Sequence, residues 1–150
     1  MRISEILSPS LVKLDVKAKD KEELFEEMVQ LFVNSGLITD RESAVATLLE
    51  REAKMTTGIS RWLGLPHGKL AEATGILIAL GVSKKGIDYD SLDGEPVYVV
   101  ITIFAEMGNP GPHIRALAEI SRIFAVHGVI DKIRQAKTPQ QVIEIIKHEE

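Results

Sequence analysis

The sequence predicts an α/β fold, a single layered domain with a mixed β-sheet flanked by helices. Three observations predict it. Segments of helical period open and close the chain, and strand-like apolar runs occupy its middle. The connections between those runs include tight turns as well as helices, which speaks against a strictly alternating, doubly wound order. The length of 150 residues suits one hydrophobic core, and no repeat, low-complexity tract or Gly/Ser linker divides it. Residues 1–150 are therefore read as one domain.

Each element has its own signal. Residues 10–16, SLVKLDV, alternate apolar and polar side chains and predict a strand. Residues 20–34 place Leu24, Phe25, Met28, Leu31 and Phe32 on one helical face, and Gly36 supplies a stop. Thr39 and Glu42 have capping-box spacing and open a second helix, which turns Val45, Leu48 and Leu49 inward and ends near Ala53. Residues 56–68 hold three glycines and a proline and predict a turn followed by a short strand. Residues 74–82 predict a buried strand, 91–96 a turn at Asp93-Gly94, and 97–104, rich in β-branched residues, the clearest strand of the chain. Residues 107–113 read as a loop. Beyond it Ile114, Leu117, Ala118, Ile120, Ser121 and Phe124 fit an amphipathic helix. A short helix over 129–136 follows, and Thr138-Pro139-Gln140-Gln141 starts the last one, which runs toward His148.

Composition narrows the function classes. Lys plus Arg number 18 against 22 Asp plus Glu, a net charge of −4, and a phosphate backbone calls for the opposite balance, so nucleic acid is not the expected ligand. The absence of cysteine removes disulfides and thiolate metal sites. The N-terminal residues carry charges too early for a signal peptide, and the apolar runs near 76–82 and 97–105 are too short to span a bilayer. A cytoplasmic protein without membrane insertion is expected.

Chemistry must then come from the histidines. His148 lies in a charged terminus and His127 precedes Gly128 at an expected helix end, where a cation meets the helix dipole favourably. His67 and His113 each follow a proline and lie where strand meets loop or loop meets helix. A neutral imidazole is a competent nucleophile near neutral pH, and one ring nitrogen can accept a phosphoryl group while a hydrogen bond orients the other. Positive charge must stabilise the transferred anion, and Arg51 or the N-terminus of the helix after His113 can supply it. Spacing alone leaves open that both histidines only satisfy local hydrogen bonds. Two histidines 46 residues apart, without an H-E-x-x-H helix or a cysteine, form no recognisable metal set, and no cofactor is expected. GLPHGKL (64–70) is no nucleotide-binding loop: three residues separate Gly64 from Gly68, and Leu70 stands where Ser or Thr would bind magnesium.

The string REAKMTTGISRWLGLPHGKLAE (51–72) resembles the active-site region of the fructose/mannitol-type IIA domains of the bacterial phosphoenolpyruvate-dependent phosphotransferase system. That family reads R-E, then T-G-I-G-x-G-I-A-I-P-H-G. Residues 86–105, 113–124 and 133–146 are similar to its later segments in the same order, so the likeness covers nearly the whole chain. PHGKL in a freestanding domain looks most like the nitrogen-related, regulatory branch. The resemblance implies a mixed sheet flanked by helices. It implies that His67 accepts a phosphoryl group from the histidine-containing phosphocarrier protein, that His113 helps to stabilise that group, and that Arg51 lies near it. The implied partner on the other side is a regulatory target protein, or a IIB domain if the protein is a sugar-specific IIA subunit.

The sequence also departs from the pattern. Ser60-Arg61-Trp62 replaces the usual Gly-x-Gly, and Gly64 replaces an alanine. Either Trp62 packs against the domain and Gly64 makes room for it, or Trp62 and Arg61 reshape recognition of the donor or target, since both residue types are common interface anchors. A third outcome is a binding module that has lost phosphotransfer. The Gly- and Pro-rich segment 106–113 is expected to be a rigid loop fixing His113 near His67.

Overall fold

The computed structural model describes residues 1–150, the side chains of Ile59 and Ser60 excepted. The chain runs α1 (Ile3–Ile6), a 3-10 turn (Pro9–Leu11), β1 (Val12–Lys13), α2 (Lys21–Asn34), α3 (Arg41–Lys54), β2 (Gly58–Ser60), β3 (Trp62–Gly64), β4 (His67–Leu70), β5 (Ile76–Ile87), β6 (Val97–Glu106), α4 (Pro110–Phe124), α5 (Val129–Gln135) and α6 (Pro139–His148). The six strands form one mixed sheet in the order β1-β5-β6-β3-β2, with β4 also on β6. The α/β fold with a mixed sheet is therefore as expected.

β6 is the spine. Antiparallel β5 lies along one side of it. On the other side β3 pairs in parallel with its N-terminal half, Trp62 opposite Val97, and β4 with its C-terminal half, His67 opposite Ile103. Pro66, which has no N–H to donate, marks the break between β3 and β4, and its carbonyl accepts from Ile103 N–H at 3.0 Å. Residues 78–83 of β5 and 99–105 of β6 are buried at every position. Helices cover both faces of these strands, so their sequences read as continuous apolar runs rather than alternations. The core is aliphatic, with Phe25, Phe32, Phe104 and Tyr89 as its large fully buried rings.

Several boundaries differ from expectation, each for a visible reason. Residues 10–16 are only briefly a strand. Pro9 starts a 3-10 turn, and β1 keeps just Val12 and Lys13 before Val16 N–H reaches Val82 O. Asp40, not Thr39, caps α3, accepting from Ser43 N–H at 3.1 Å. Thr39 instead donates its N–H and its hydroxyl to Glu72, tying the start of α3 to the turn after β4. Leu49 faces solvent, and Ala44 joins Val45 and Leu48 on the buried face. The loop expected over 107–113 is shorter. Proline is well tolerated at the first helical position, and α4 begins at Pro110, so His113 belongs to a helix. Ile114, Ala118 and Ser121 are exposed on that helix, while Ala116, Ile120, Ile123 and Phe124 are buried. The predicted cap of α6 holds: Thr138 accepts from Gln141 N–H at 3.2 Å.

Candidate active site

His67 opens β4, where Pro66 and the pairing with β6 fix its backbone. Gly68 explains how a helix comes close to that strand. A Cβ on Gly68 would overlap Cγ2 of Thr47, so α3 packs against β4 at a distance only glycine permits. Arg51 lies one turn beyond Thr47 on the same face of α3. Its Nη1 donates to the carbonyl of Met55 at 2.9 Å. His113 comes from the first turn of α4. Its ring centroid lies 5.4 Å from that of His67, with the planes inclined by 67°. The fold thus joins the two histidines across 46 residues of sequence, and the Arg51 charge acts on His67.

The hydrogen bonds distinguish the ring nitrogens. Nδ1 of His67 lies 2.7 Å from the carbonyl oxygen of Leu65. A carbonyl only accepts, so in the neutral ring Nδ1 carries the proton and Nε2 keeps its lone pair. Nε2 of His113 is buried and has no hydrogen-bond partner. Burial is the main cause that lowers the His67 pKa, and Arg51 adds to it. The Leu65 carbonyl and Glu52 oppose the shift. Burial also lowers the pKa of His113, helped by His67 and Lys69. Both rings are therefore neutral at pH 7.

The helix N-terminus contributes less than expected. Pro110 and Pro112 have no N–H, so only Gly111 and His113 present amides among the first four residues of α4, and the Asn109 cap makes no side-chain hydrogen bond. What replaces the expected loop is the rigid first turn of α4 itself. His127 and His148 are exposed on other parts of the surface. Among the described residues, no three His, Cys, Asp or Glu side chains are grouped to hold a metal.

Three features beside the pair were not legible beforehand. One is the Leu65 carbonyl, which every residue type would offer. Another is Lys69, two residues after His67 and close enough to act on His113. The third is the buried Glu52, next to Arg51. It accepts from Thr57 N–H and Thr57 Oγ1, each at 2.7 Å, and lies 3.1 Å from Lys21 Nζ, while Thr57 Oγ1 also meets the Tyr89 hydroxyl at 2.7 Å. This network fixes the turn after α3, the same turn that receives the Arg51 guanidinium. The glutamate of the R-E pair was the available signal.

Residues 5–149 match the family described as "Phosphoenolpyruvate-dependent sugar phosphotransferase system, EIIA 2". This chain belongs to that EIIA family. Its relatives carry two kinds of name. The fructose-specific EIIABC component of Bacillus subtilis is 34% identical over 97% of this chain, and the chain spans only 23% of that longer protein. The fructose-specific EIIA component of Haloferax volcanii is 31% identical and covered at 96% of this chain and 94% of its own. A nitrogen regulatory protein of Bradyrhizobium diazoefficiens is 28% identical, over 97% and 95%. The EIIA fold is found in the nitrogen regulatory protein IIA of Neisseria meningitidis, with a TM-score of 0.89, 24% identity and coverage of 96% and 98%. It is found again in the Escherichia coli complex of the mannitol enzyme IIA with its phosphorylated enzyme IIB, with a TM-score of 0.78, 20% identity and coverage of 94% and 96%.

The departures from the EIIA pattern resolve geometrically. Trp62 adopts φ 71°, a conformation glycine takes without cost, at the position where the family pattern has glycine. Its ring packs edge-on to Tyr98 at 5.8 Å. Gly64 makes room not for Trp62 but for Tyr89: a Cβ there would stand 3.1 Å from the Tyr89 ring. Trp62 pairs with Val97 and His67 with Ile103, so six positions of β6, about 20 Å, separate them. No helix among the described residues is long and apolar enough to cross a membrane.

Proposed function

We propose that the protein carries a phosphoryl group on Nε2 of His67, received from the phosphohistidine of a phosphocarrier protein. The observation that carries this reading is the polarised histidine pair: His67 Nδ1 bonded to Leu65 O, and the unpartnered Nε2 of His113 beside it. The Nε2 lone pair of His67 attacks the donor's phosphorus. The donor P–N bond breaks and its electron pair returns to the donor imidazole. Positive charge growing on the His67 ring is stabilised through Nδ1–H by the Leu65 carbonyl. His113, in the tautomer with the proton on Nε2, donates to a phosphoryl oxygen, and Arg51 leaves the Met55 carbonyl to neutralise another. Attack needs no metal, because the donor phosphoramidate is already activated.

Met55, Met107 and Ile114 are exposed at 57%, 57% and 64%, and the last two flank the start of α4. Such apolar side chains around a shallow, half-exposed pair suit transient docking of another protein. The relatives above 30% identity have fructose-specific names, which favours a IIB-type domain as acceptor. The likeness to nitrogen regulatory proteins supports the second reading, a regulatory output set by the phosphorylation state. Retained transfer is supported by the distance of Trp62 from His67, six positions away along β6.

The test is incubation with phosphoenolpyruvate, enzyme I and the phosphocarrier protein, followed by intact mass. An acid-labile gain of one phosphoryl group, absent in His67→Ala, is expected. No adduct with any competent carrier overturns the reading. Chasing the adduct with a fructose IIB domain then decides the output, since loss of the group to IIB favours sugar transfer and retention favours regulation.

A further inference from the structure

Cations gather at the end of β6 opposite His67. Tyr98 lies there, against Gly86 of the β5 bend. Arg134 of α5 stacks on both aromatic rings, 3.8 Å from the centroid of Tyr98 and 4.8 Å from that of Trp62, and Arg61 covers Trp62 at 4.2 Å. Lys84 and Arg134 line one cleft. Lys84 also lines a second, with Lys85, Lys17 and Lys19. The six side chains therefore form one continuous surface. Among the described residues, none of the six has a carboxylate within 4 Å, whereas Lys13, Lys21, Arg41 and Arg122 do. Two carboxylates beside Lys17 and Lys19 are engaged by backbone: Glu27 accepts from the N–H groups of Lys17 and Ala18, and Glu23 from that of Lys19.

Two physical facts make this more than a solvated charge run. Cation–π stacking holds the guanidinium planes of Arg61 and Arg134 in place, so little side-chain entropy remains to be lost on binding. Trp62 at its centre occupies a left-handed backbone conformation that strains a non-glycine residue, and such strain collects at functional positions. In a chain of net charge −4, six cations that form no ion pair among the described residues, beside a half-buried tryptophan, have the composition of a protein-interface anchor.

We propose that this end of the sheet, about 20 Å along β6 from His67, docks an acidic segment of a partner protein. Charge complementarity selects the segment, and the Trp62–Arg134–Tyr98 stack supplies its central contact. Asp131 and Asp15 line the same two clefts. They would repel the evenly charged backbone of a nucleic acid along the whole track, while a short peptide can place its carboxylates between them. The proposal is independent of phosphotransfer.

Trp62 is the only tryptophan, so its fluorescence reads the site directly. A deca-glutamate peptide titrated into the intact protein at low salt is expected to give a saturable change that weakens as salt rises. The charge-reversal pair Lys84→Glu/Lys85→Glu should weaken binding about tenfold or more, and Arg134→Ser should do so too. Arg2→Glu/Lys147→Glu makes the same charge change in a different cleft and should not. His67→Gln should bind as the parent does. Absence of a saturable change, equal loss in both charge-reversal pairs, loss in His67→Gln, or tighter binding of an oligothymidylate of matching charge would each overturn the proposal.

Discussion

The reactivity proposed for His67 depends on its protonation, which sets a pH dependence. Burial and Arg51 hold its pKa below the ordinary 6.5. In the proposed transfer the neutral ring attacks, so the phosphorylation rate should be flat at and above pH 7. It should fall only as pH drops through the lowered pKa. Rapid-quench rates from pH 5 to 8 check this, and a fall already beginning above 7 would contradict it. His113→Gln should slow transfer about a hundredfold or more, as loss of one donor to a developing anion does, while leaving the adduct on His67. Trp62 offers a cleaner test of backbone strain. Trp62→Gly and Trp62→Ala lose the same stacking, but only alanine keeps the cost of φ 71°. The glycine variant should be the more stable of the two by about 1 kcal/mol in urea unfolding.

Among the elements, the contact between α3 and β4 decides whether Arg51 reaches the site. Gly68→Ala forces Thr47 aside and should cost about 1–3 kcal/mol of stability, as overpacking does. Because Arg51 moves with the helix, phosphorylation should slow as well. Thr47→Ser removes the overlapping methyl group while keeping the hydroxyl that donates to Ser43 O. The double variant should regain both stability and rate, and failure to do so would separate Arg51 from this packing. The elements themselves were unevenly legible. β6 and α2 were plain because burial on both faces, or on one helical stripe, leaves a pattern in sequence. The cap of α3 was misplaced because Thr39 and Asp40 are both capping residues, and what separates them is Glu72, 32 residues away from Asp40. α1 went unread because four residues carry no period. The α4 start was hidden by Pro110 and Pro112, which read equally as loop residues.

For the whole molecule, acid should weaken the fold. His67 and His113 both have folded pKa values below the unfolded one, so the unfolded chain binds protons more readily. Their stabilising contribution is complete above about pH 6.5. It is lost as pH falls through the lowered folded values. The double variant His67→Gln/His113→Gln should show a shallower decline in melting temperature between pH 7 and 5 than the parent, and an equal decline would assign the effect to carboxylates. Apart from pH, the ion pair of half-buried Lys21 with buried Glu52 also holds the fold. Glu52→Ala leaves Lys21 without its partner and Thr57 without its acceptor, and should cost about 3–5 kcal/mol. The site was legible in the sequence as residue types, His67, His113 and Arg51, with a resemblance to connect them. Their convergence was implied by the resemblance alone, because it depends on β4 and α4 meeting the same end of β6, which no local pattern records.

The bond from His67 to Leu65 has a consequence for inheritance. The acceptor is main chain, and all amino acids present the same carbonyl group at position 65. No substitution there deletes it. Which nitrogen of His67 keeps its lone pair thus travels with the course of the polypeptide and not with a neighbouring side chain. A lineage can rewrite the side chains around such a histidine and still hand down the same exposed ring nitrogen.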